Sequence, residues 1–221
     1  IEEGNGAKGP SDLPDGVYVA ASADLKEGGG ALVVYYSNQD GEPISHKTDP
    51  TYPSGVVKFT PAQFARGLNM DCNDAMIITW SMTSGGFGPL LYDVAMEIAT
   101  ERHGGLAADR RSVSNDAYKV WQYYLKNRSG ANSDIQIVQL DDGENTLTKD
   151  TDKDNCEQKS SKFHADLLDL QGREIETTND KGEKQAVKLP PWSSTAISKV
   201  YRKKGNNTRA SLGKRYIDKL T

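Results

Sequence analysis

The stretch Ala75–Arg128, AMIITWSMTSGGFGPLLYDVAMEIATERHGGLAADRRSVSNDAYKVWQYYLKNR, decides how this chain folds. Ala75 to Trp80 is a run of apolar and β-favouring residues that suits an interior strand buried on both faces. Gly85, Gly86 and Gly88 then turn the chain. Pro89 follows at the first helical position, where its missing N–H costs nothing because no intrahelical acceptor waits for it. Leu90, Leu91, Val94, Ala95, Ile98 and Ala99 recur at helical spacing and form one apolar stripe that must face a sheet. Gly104 and Gly105 end that helix, Leu106 to Asp109 makes a short second strand, and a second amphipathic helix runs on to Arg128.

Working outward, Gly16–Ala23 and Ala31–Ser37 read as two strands that could pair as an antiparallel hairpin around Gly28, Gly29 and Gly30. Asn38 to Ser54 is loop-like, and Val56–Phe59 is a short strand. Thr60 and Pro61 look like an N-cap and first residue of a short helix through Phe64 to Leu68. Downstream, Asp134–Leu140 alternates as a strand should. Asp141–Ser161 is a polar excursion, Phe163–Leu170 could be a strand or a helical turn, and Gln171–Gln185 is charged and turn-rich. In the tail, Ala196, Ile197, Val200 and Tyr201 have helical spacing amid many Lys and Arg. The division expected is a flexible arm over 1–15, a core over 16–140, a polar insertion with room for one more strand over 141–189, and a basic helical tail over 190–221.

A chain of 221 residues can bury a sizeable core and is most simply one α/β or α+β domain. A formal charge of -4 with mixed signs gives no broad basic field, which argues against stable binding to duplex nucleic acid. Cys72 and Cys156 do not make a disulfide framework, so a reducing cytoplasm is the expectation. No apolar run reaches membrane-spanning length. Because the chain starts at Ile1, a processed product and a piece of something larger both stay open.

A strand ending in a glycine turn that feeds a helix presents backbone N–H groups and a positive dipole end to an anion, although a turn of that shape also serves plain packing. The run Thr83-Ser-Gly-Gly86-Phe-Gly88 resembles the Gln/Arg-x-x-Gly-x-Gly/Ala turn of the GNAT superfamily of acyl-CoA-dependent N-acyltransferases. Pro89 to Arg102 is similar to that superfamily's cofactor helix, and Leu106–Asp109 to the strand that splays away to admit the pantetheine arm. Ser114-Asn-Asp-Ala117-x-x-x-Trp121 resembles its Asn-x-x-Ala-x-x-x-Tyr helix, with Asp134–Leu140 as the strand after it. The wording GFGPLLYDVAME with VS and VW further resembles small GNAT-like proteins encoded by bacteriophages.

The resemblance implies a mixed, largely antiparallel sheet flanked by helices, with polar insertions and a C-terminal helical extension. It also implies that acetyl-CoA or another acyl-CoA binds at Thr83, Gly85, Gly86, Phe87, Gly88, Leu90, Leu91 and Ser114. The acyl group would pass to a small-molecule or protein amine, with Asp109 as general base and Tyr124 as a candidate acid. Surface pairing or capping for Asp109, and core packing for Tyr124, stand beside those roles. The chain departs from the pattern at Thr83, at Pro89, which removes an amide donor, and at Trp121, whose indole cannot protonate a thiolate. The usual pair of helices after the first strand is replaced by the Gly28–Gly30 turn. These departures keep a second expectation open: a catalytically inactive structural or interaction protein with partners in a viral particle. The location implied is a bacterial host cytoplasm or a virion.

Other constellations carry less. Asp150-x-Asp152-x-Asp154 opens like a calcium loop, but Asn155 and Ser161 stand where glycine and glutamate are needed. His46, His103 and His164 are scattered, and Ser84 lacks a Gly-x-Ser-x-Gly frame. The basic tail could reach a phosphate-bearing partner, the 3′-phosphate of CoA or a nucleic-acid amine, or simply face solvent.

Overall fold

β-branched and aromatic runs build the first half of one mixed sheet. The computed structural model describes residues 7–24, 30–44, 52–62, 74–109, 113–128, 133–139, 174–178, 183–188 and 195–220. Strands β1 (Tyr18–Ala23) and β2 (Leu32–Ser37) pair antiparallel as the sequence predicts, from Tyr18↔Ser37 to Ala23↔Leu32. β2 is buried at every residue. β3 (Gly55–Pro61) lies antiparallel to β2 and to β4 (Met76–Thr83). Helix α1 (Gly88–Arg102) then crosses over to β5 (Leu106–Ala107), parallel to β4. Helix α2 (Asn115–Asn127) leads to β6 (Ile135–Gln139).

The remaining strands are β7 (Glu174–Thr178), β8 (Lys184–Lys188), β9 (Lys199–Lys203) and β10 (Tyr216–Lys219), with a short helix α3 (Asn207–Leu212) between the last two. The main sheet has eight strands in the order β10-β1-β2-β3-β4-β5-β9-β6, and β7-β8 form a separate antiparallel hairpin. Only β10/β1 and β4/β5 are parallel. The chain is therefore a mixed α+β protein with a largely antiparallel sheet, and no helix among the described residues is long and apolar enough to cross a membrane.

Several local expectations change. Thr60 and Pro61 do not open a helix; they close β3 opposite Ile77 and Met76, because the apolar run of β4 extends the ladder past the capping signal. Proline fits there as the last strand residue, and Ala62 N–H carries the contact on to Ala75 O at 3.0 Å. Residues 64–68 lie outside the described residues, as do 141–161 and 163–170. The charged stretch 171–185 contributes to the β7-β8 hairpin. Helical spacing in the tail is overridden: Ala196–Ser198 is one 3-10 turn, and Lys199–Lys203 is a strand completing the sheet between β5 and β6. The sheet is thus not complete at residue 140. The arm is a strap from Ala7 onward, with a 3-10 turn at Pro10–Asp12 and Leu13 buried in the core.

α1 is buried from Gly88 to Ala99, so its polar residues need partners inside the protein. Asp93, Glu97 and Glu101 are spaced at i, i+4 and i+8 and share one stripe. Lys203 Nζ, 2% exposed, reaches Asp93 Oδ2 at 3.2 Å, and it also bonds Asp134. Glu97, 1% exposed, accepts from the backbone N–H of Thr208 (2.6 Å) and Arg209 (3.0 Å). These are amides of the first turn of α3, whose own N-cap Asn206 makes no side-chain cap bond. The Glu97 carboxylate is the cap, delivered from another helix.

Replacing Glu97 by alanine should therefore strip the α3 cap and leave Arg209 and Lys203 short of an anion. The expected loss is about 2–4 kcal/mol in urea unfolding. Glu101→Ala, which removes an exposed partner of Arg209, should cost no more than about 1 kcal/mol.

Candidate functional site

Two features meet at the C-terminal end of β4. The first is the turn. Gly85 and Gly86 have φ of 66° and 80°, which only glycine adopts readily, and Gly88 opens α1. A Cβ on Gly88 would lie 2.8 Å from Thr83 Oγ1, so the helix start packs directly on the strand end. Pro89 is the second helical residue, one later than expected but still in the first turn. Ser84 holds the turn to the loop before β3: its N–H donates to Ser54 O (2.9 Å), and its Oγ lies 2.7 Å from Ser54 Oγ. Tyr36 donates its hydroxyl to Phe87 O at 2.8 Å, and the two rings meet edge to face at 5.9 Å.

The second feature is a split in the sheet. β5 pairs with β4 only through Met76↔Leu106 and Ile77↔Ala107. Over Ile78 to Thr83, β4 has β3 on one flank and no strand on the other among the described residues. The β3/β4 register also shifts, from Phe59↔Ile78 to Lys58↔Trp80, so Thr79 is an extra residue on β4. Such bulges bend a strand locally and are frequent beside functional sites.

The predicted residues divide around these features. Thr83, Gly85, Gly86, Phe87, Gly88, Leu90 and Leu91 lie together at the turn. The Phe87, Leu90 and Leu91 side chains are core, so only backbone could serve a ligand there. Two amides are already used: Phe87 N–H donates to Ser84 O (3.3 Å) and Leu90 N–H to Phe87 O (3.1 Å). Asp109 follows Ala108 just beyond β5 and is half-buried. Ser114 caps α2 by accepting from Ala117 N–H at 3.2 Å, a structural duty away from the turn.

Tyr124 is fully buried, and its one phenolic proton lies between Asp93 Oδ1 (2.7 Å) and Pro89 O (2.8 Å). Burial first, and then the Asp93 charge, push its pKa well above the usual tyrosine value. The hydroxyl is thereby committed to the helix start, where it ties α2 to α1, the packing role that stands beside the acid role in the sequence. Trp121 is buried between Tyr201 (4.9 Å between ring centroids) and Tyr92 (5.5 Å). Tyr92 in turn reaches Ser81 on the open flank of β4 at 3.0 Å.

Sequence reasoning missed Tyr36, which stands 51 positions from the carbonyl it holds and carries no local signal. It also missed a cleft of about 550 Å³ that reaches Ser54 and Met82 beside the turn, walled further by Val33, Tyr35, Ile44 and Val56, with the Lys58–Asp24 pair (2.8 Å) in its wall. The tail cations expected to face solvent or phosphate are largely used internally: Lys203 and Arg209 on the α1 stripe, Arg202 on Gly104 O and Arg215 on Leu13 O. Residues 150–154, the calcium-like spacing, lie outside the described residues.

Glycines at positive φ, a helix N-terminus packed closely on the strand end, and a strand flank that is open among the described residues are features that suit an extended ligand carrying phosphates. Comparison with known proteins returns no match: no family model, no curated protein and no solved structure aligns with this chain.

The buried tyrosines make the fold alkali-sensitive. Burial pushes Tyr92 up to about 12 against a Ser81 hydrogen bond that lowers it. A raised folded pKa means that the unfolded chain ionises first. The contribution is complete below about pH 10 and is lost as pH rises from there towards 12. The urea midpoint should hold up to about pH 9.5 and fall above about pH 10. Tyr92→Phe should lose less over that window than the unmodified chain.

Proposed function

We propose that this protein is a GNAT-like N-acyltransferase that binds an acyl-CoA along the open flank of β4 and passes the acyl group to an amine. The observation that carries the reading is the two-pair β4/β5 contact opening beside the glycine turn of α1. The strand order β1-β2-β3-β4-β5, with β9 and β6 beyond, supports the resemblance in the sequence because the motif's strand, helix and strand fall consecutively where it needs them.

The turn from Gly85 to Gly88, with the dipole of α1, would hold the phosphates. Backbone N–H groups on Ile78 to Thr83 would position the arm and polarise the acyl carbonyl. Asp109 would take one proton from an ammonium acceptor. The free amine then adds to the acyl carbon, and as the C–S bond breaks the leaving thiolate takes the second nitrogen proton, giving the amide and the CoA thiol. The thioester supplies the activated acyl carbon; the protein supplies position, charge and exclusion of water.

A second reading is favoured by one observation: Trp121 and Tyr124 fill the interior where an acid is needed, and the Tyr124 hydroxyl is occupied. On it, the fold holds a ligand or a partner without catalysis, as a structural or interaction protein of a viral particle would.

Titration calorimetry and a thiol-release assay with a panel of amines separate these. Acetyl-CoA should bind saturably, and Gly86→Asp should weaken it at least about tenfold, while Gly86→Asn, which tolerates the same backbone, should weaken it far less. Asp109→Asn should lower kcat by roughly a hundredfold or more with affinity for acetyl-CoA kept. Binding without thiol release from any amine would favour the second reading, and no binding at millimolar acetyl-CoA would sink the first.

A further inference from the structure

We infer that Lys8, carried on the N-terminal strap, is a phosphate-binding residue of this site and supplies the positive charge that Thr83 does not. The inference rests on the acyl-CoA reading. The strap crosses the glycine turn: the Lys8 backbone N–H donates to Gly86 O at 3.3 Å, and Lys8 Nζ lies 4.6 Å from the centroid of the Phe87 ring. Phe87 is the N-cap of α1, so the strap brings the lysine to the residue from which the helix starts.

That position is electrostatically adverse by itself. The N-terminus of a helix carries a positive partial charge, and a cation beside it is disfavoured unless an anion joins the two. Among the described residues the Lys8 ammonium meets the Phe87 ring and no carboxylate. A phosphate bound at the turn would convert the repulsion into two attractions, one to the helix and one to the lysine.

The strap is also built to hold its place. Gly9 N–H donates to Asp12 Oδ2 (2.7 Å), and Asp12 N–H returns to Gly9 O (3.1 Å). Leu13 is buried, and Arg215 donates to its carbonyl at 2.7 Å. Thr83, where the resemblance expects Gln or Arg, packs against Gly88 and has no charge to offer. The ligand class is a pyrophosphate diester such as that of CoA.

The test is calorimetry of the full chain with CoA, and with ADP as a probe that has the pyrophosphate but no pantetheine arm. Lys8→Gln should weaken both by on the order of tenfold and flatten the dependence of affinity on salt. Lys8→Arg should restore both to near the wild-type values. The thermal midpoint of Lys8→Gln should match the wild type, because the side chain is only half-buried. Wild-type affinity and salt slope in Lys8→Gln would overturn the assignment while leaving the acyl-CoA reading intact. A weakening matched by a lowered midpoint would also overturn it, as a structural effect. If the wild type binds neither probe, the acyl-CoA reading and this assignment fall together.

Discussion

Burying a carboxylate without a partner costs several kcal/mol, and α1 buries two, Asp93 and Glu97, one helical turn apart. Their partners are not local. Lys203 stands 110 positions from Asp93, and the α3 amides of Thr208 and Arg209 stand 111 and 112 from Glu97. The end of the chain must therefore return to α1, and in returning it inserts β9 between β5 and β6 and lays β10 beside β1. An apolar helix could have packed on the sheet in several registers. A helix with two buried acids at fixed spacing accepts only the one that brings Lys203 and the α3 N-terminus into reach. The network defines the position of α1, and with it the position of everything at its first turn.

That first turn is held from two more sides. Tyr36 donates to the Phe87 carbonyl and Tyr124 to the Pro89 carbonyl, both at 2.8 Å. The Phe87 carbonyl and the Gly88 N–H belong to one peptide unit, so a bond to the carbonyl polarises the amide and makes it a stronger donor. Tyr124 also ties Asp93 to the helix start, which couples the charge network to the turn. The effect of both tyrosines is to fix the first turn of α1 in place, so its amides would need no ordering if an anion bound there.

The strand-turn-helix-strand core was legible because its signals are local. Glycines at Gly85 and Gly86 forecast positive φ, and the apolar spacing of α1 forecast its length to within a residue. The tail was misread because the same Ala196, Ile197, Val200 and Tyr201 spacing satisfies a helix in isolation, whereas the open edge of β5 and the burial of Tyr201 select a strand. Thr60 and Pro61 likewise pair in β3, with a 3-10 residue at Ala62 directly after them, and the helix expected over 64–68 lies outside the described residues. At the site, the glycine turn could be read, but Tyr36 and Lys8 could not, since each acts on it from more than fifty positions away. For Tyr124 the sequence offers both an acid role and core packing, and its burial and hydrogen bonds agree with the packing. Its partners, Asp93 and the Pro89 carbonyl, lie more than thirty positions away and carry no local signal.

The open flank of β4 poses the remaining physical problem. From Ile78 to Thr83 the backbone has a ladder on one side only, and each unpaired N–H or C=O left in an apolar surrounding costs free energy until water, a ligand or another strand meets it. Tyr92 and Ser81 bring side-chain polarity to that flank, but a side chain cannot replace a ladder. An extended arm bearing its own amides meets such an edge as a β-strand would, with main-chain bonds supplying affinity that does not depend on the arm's end group. Under the acyl-CoA reading this separates holding from reacting. The split and the turn would do the holding, whereas the interior near Trp121 and Tyr124 is packed and committed. On that reading proton transfer would fall to Asp109, half-buried just beyond β5.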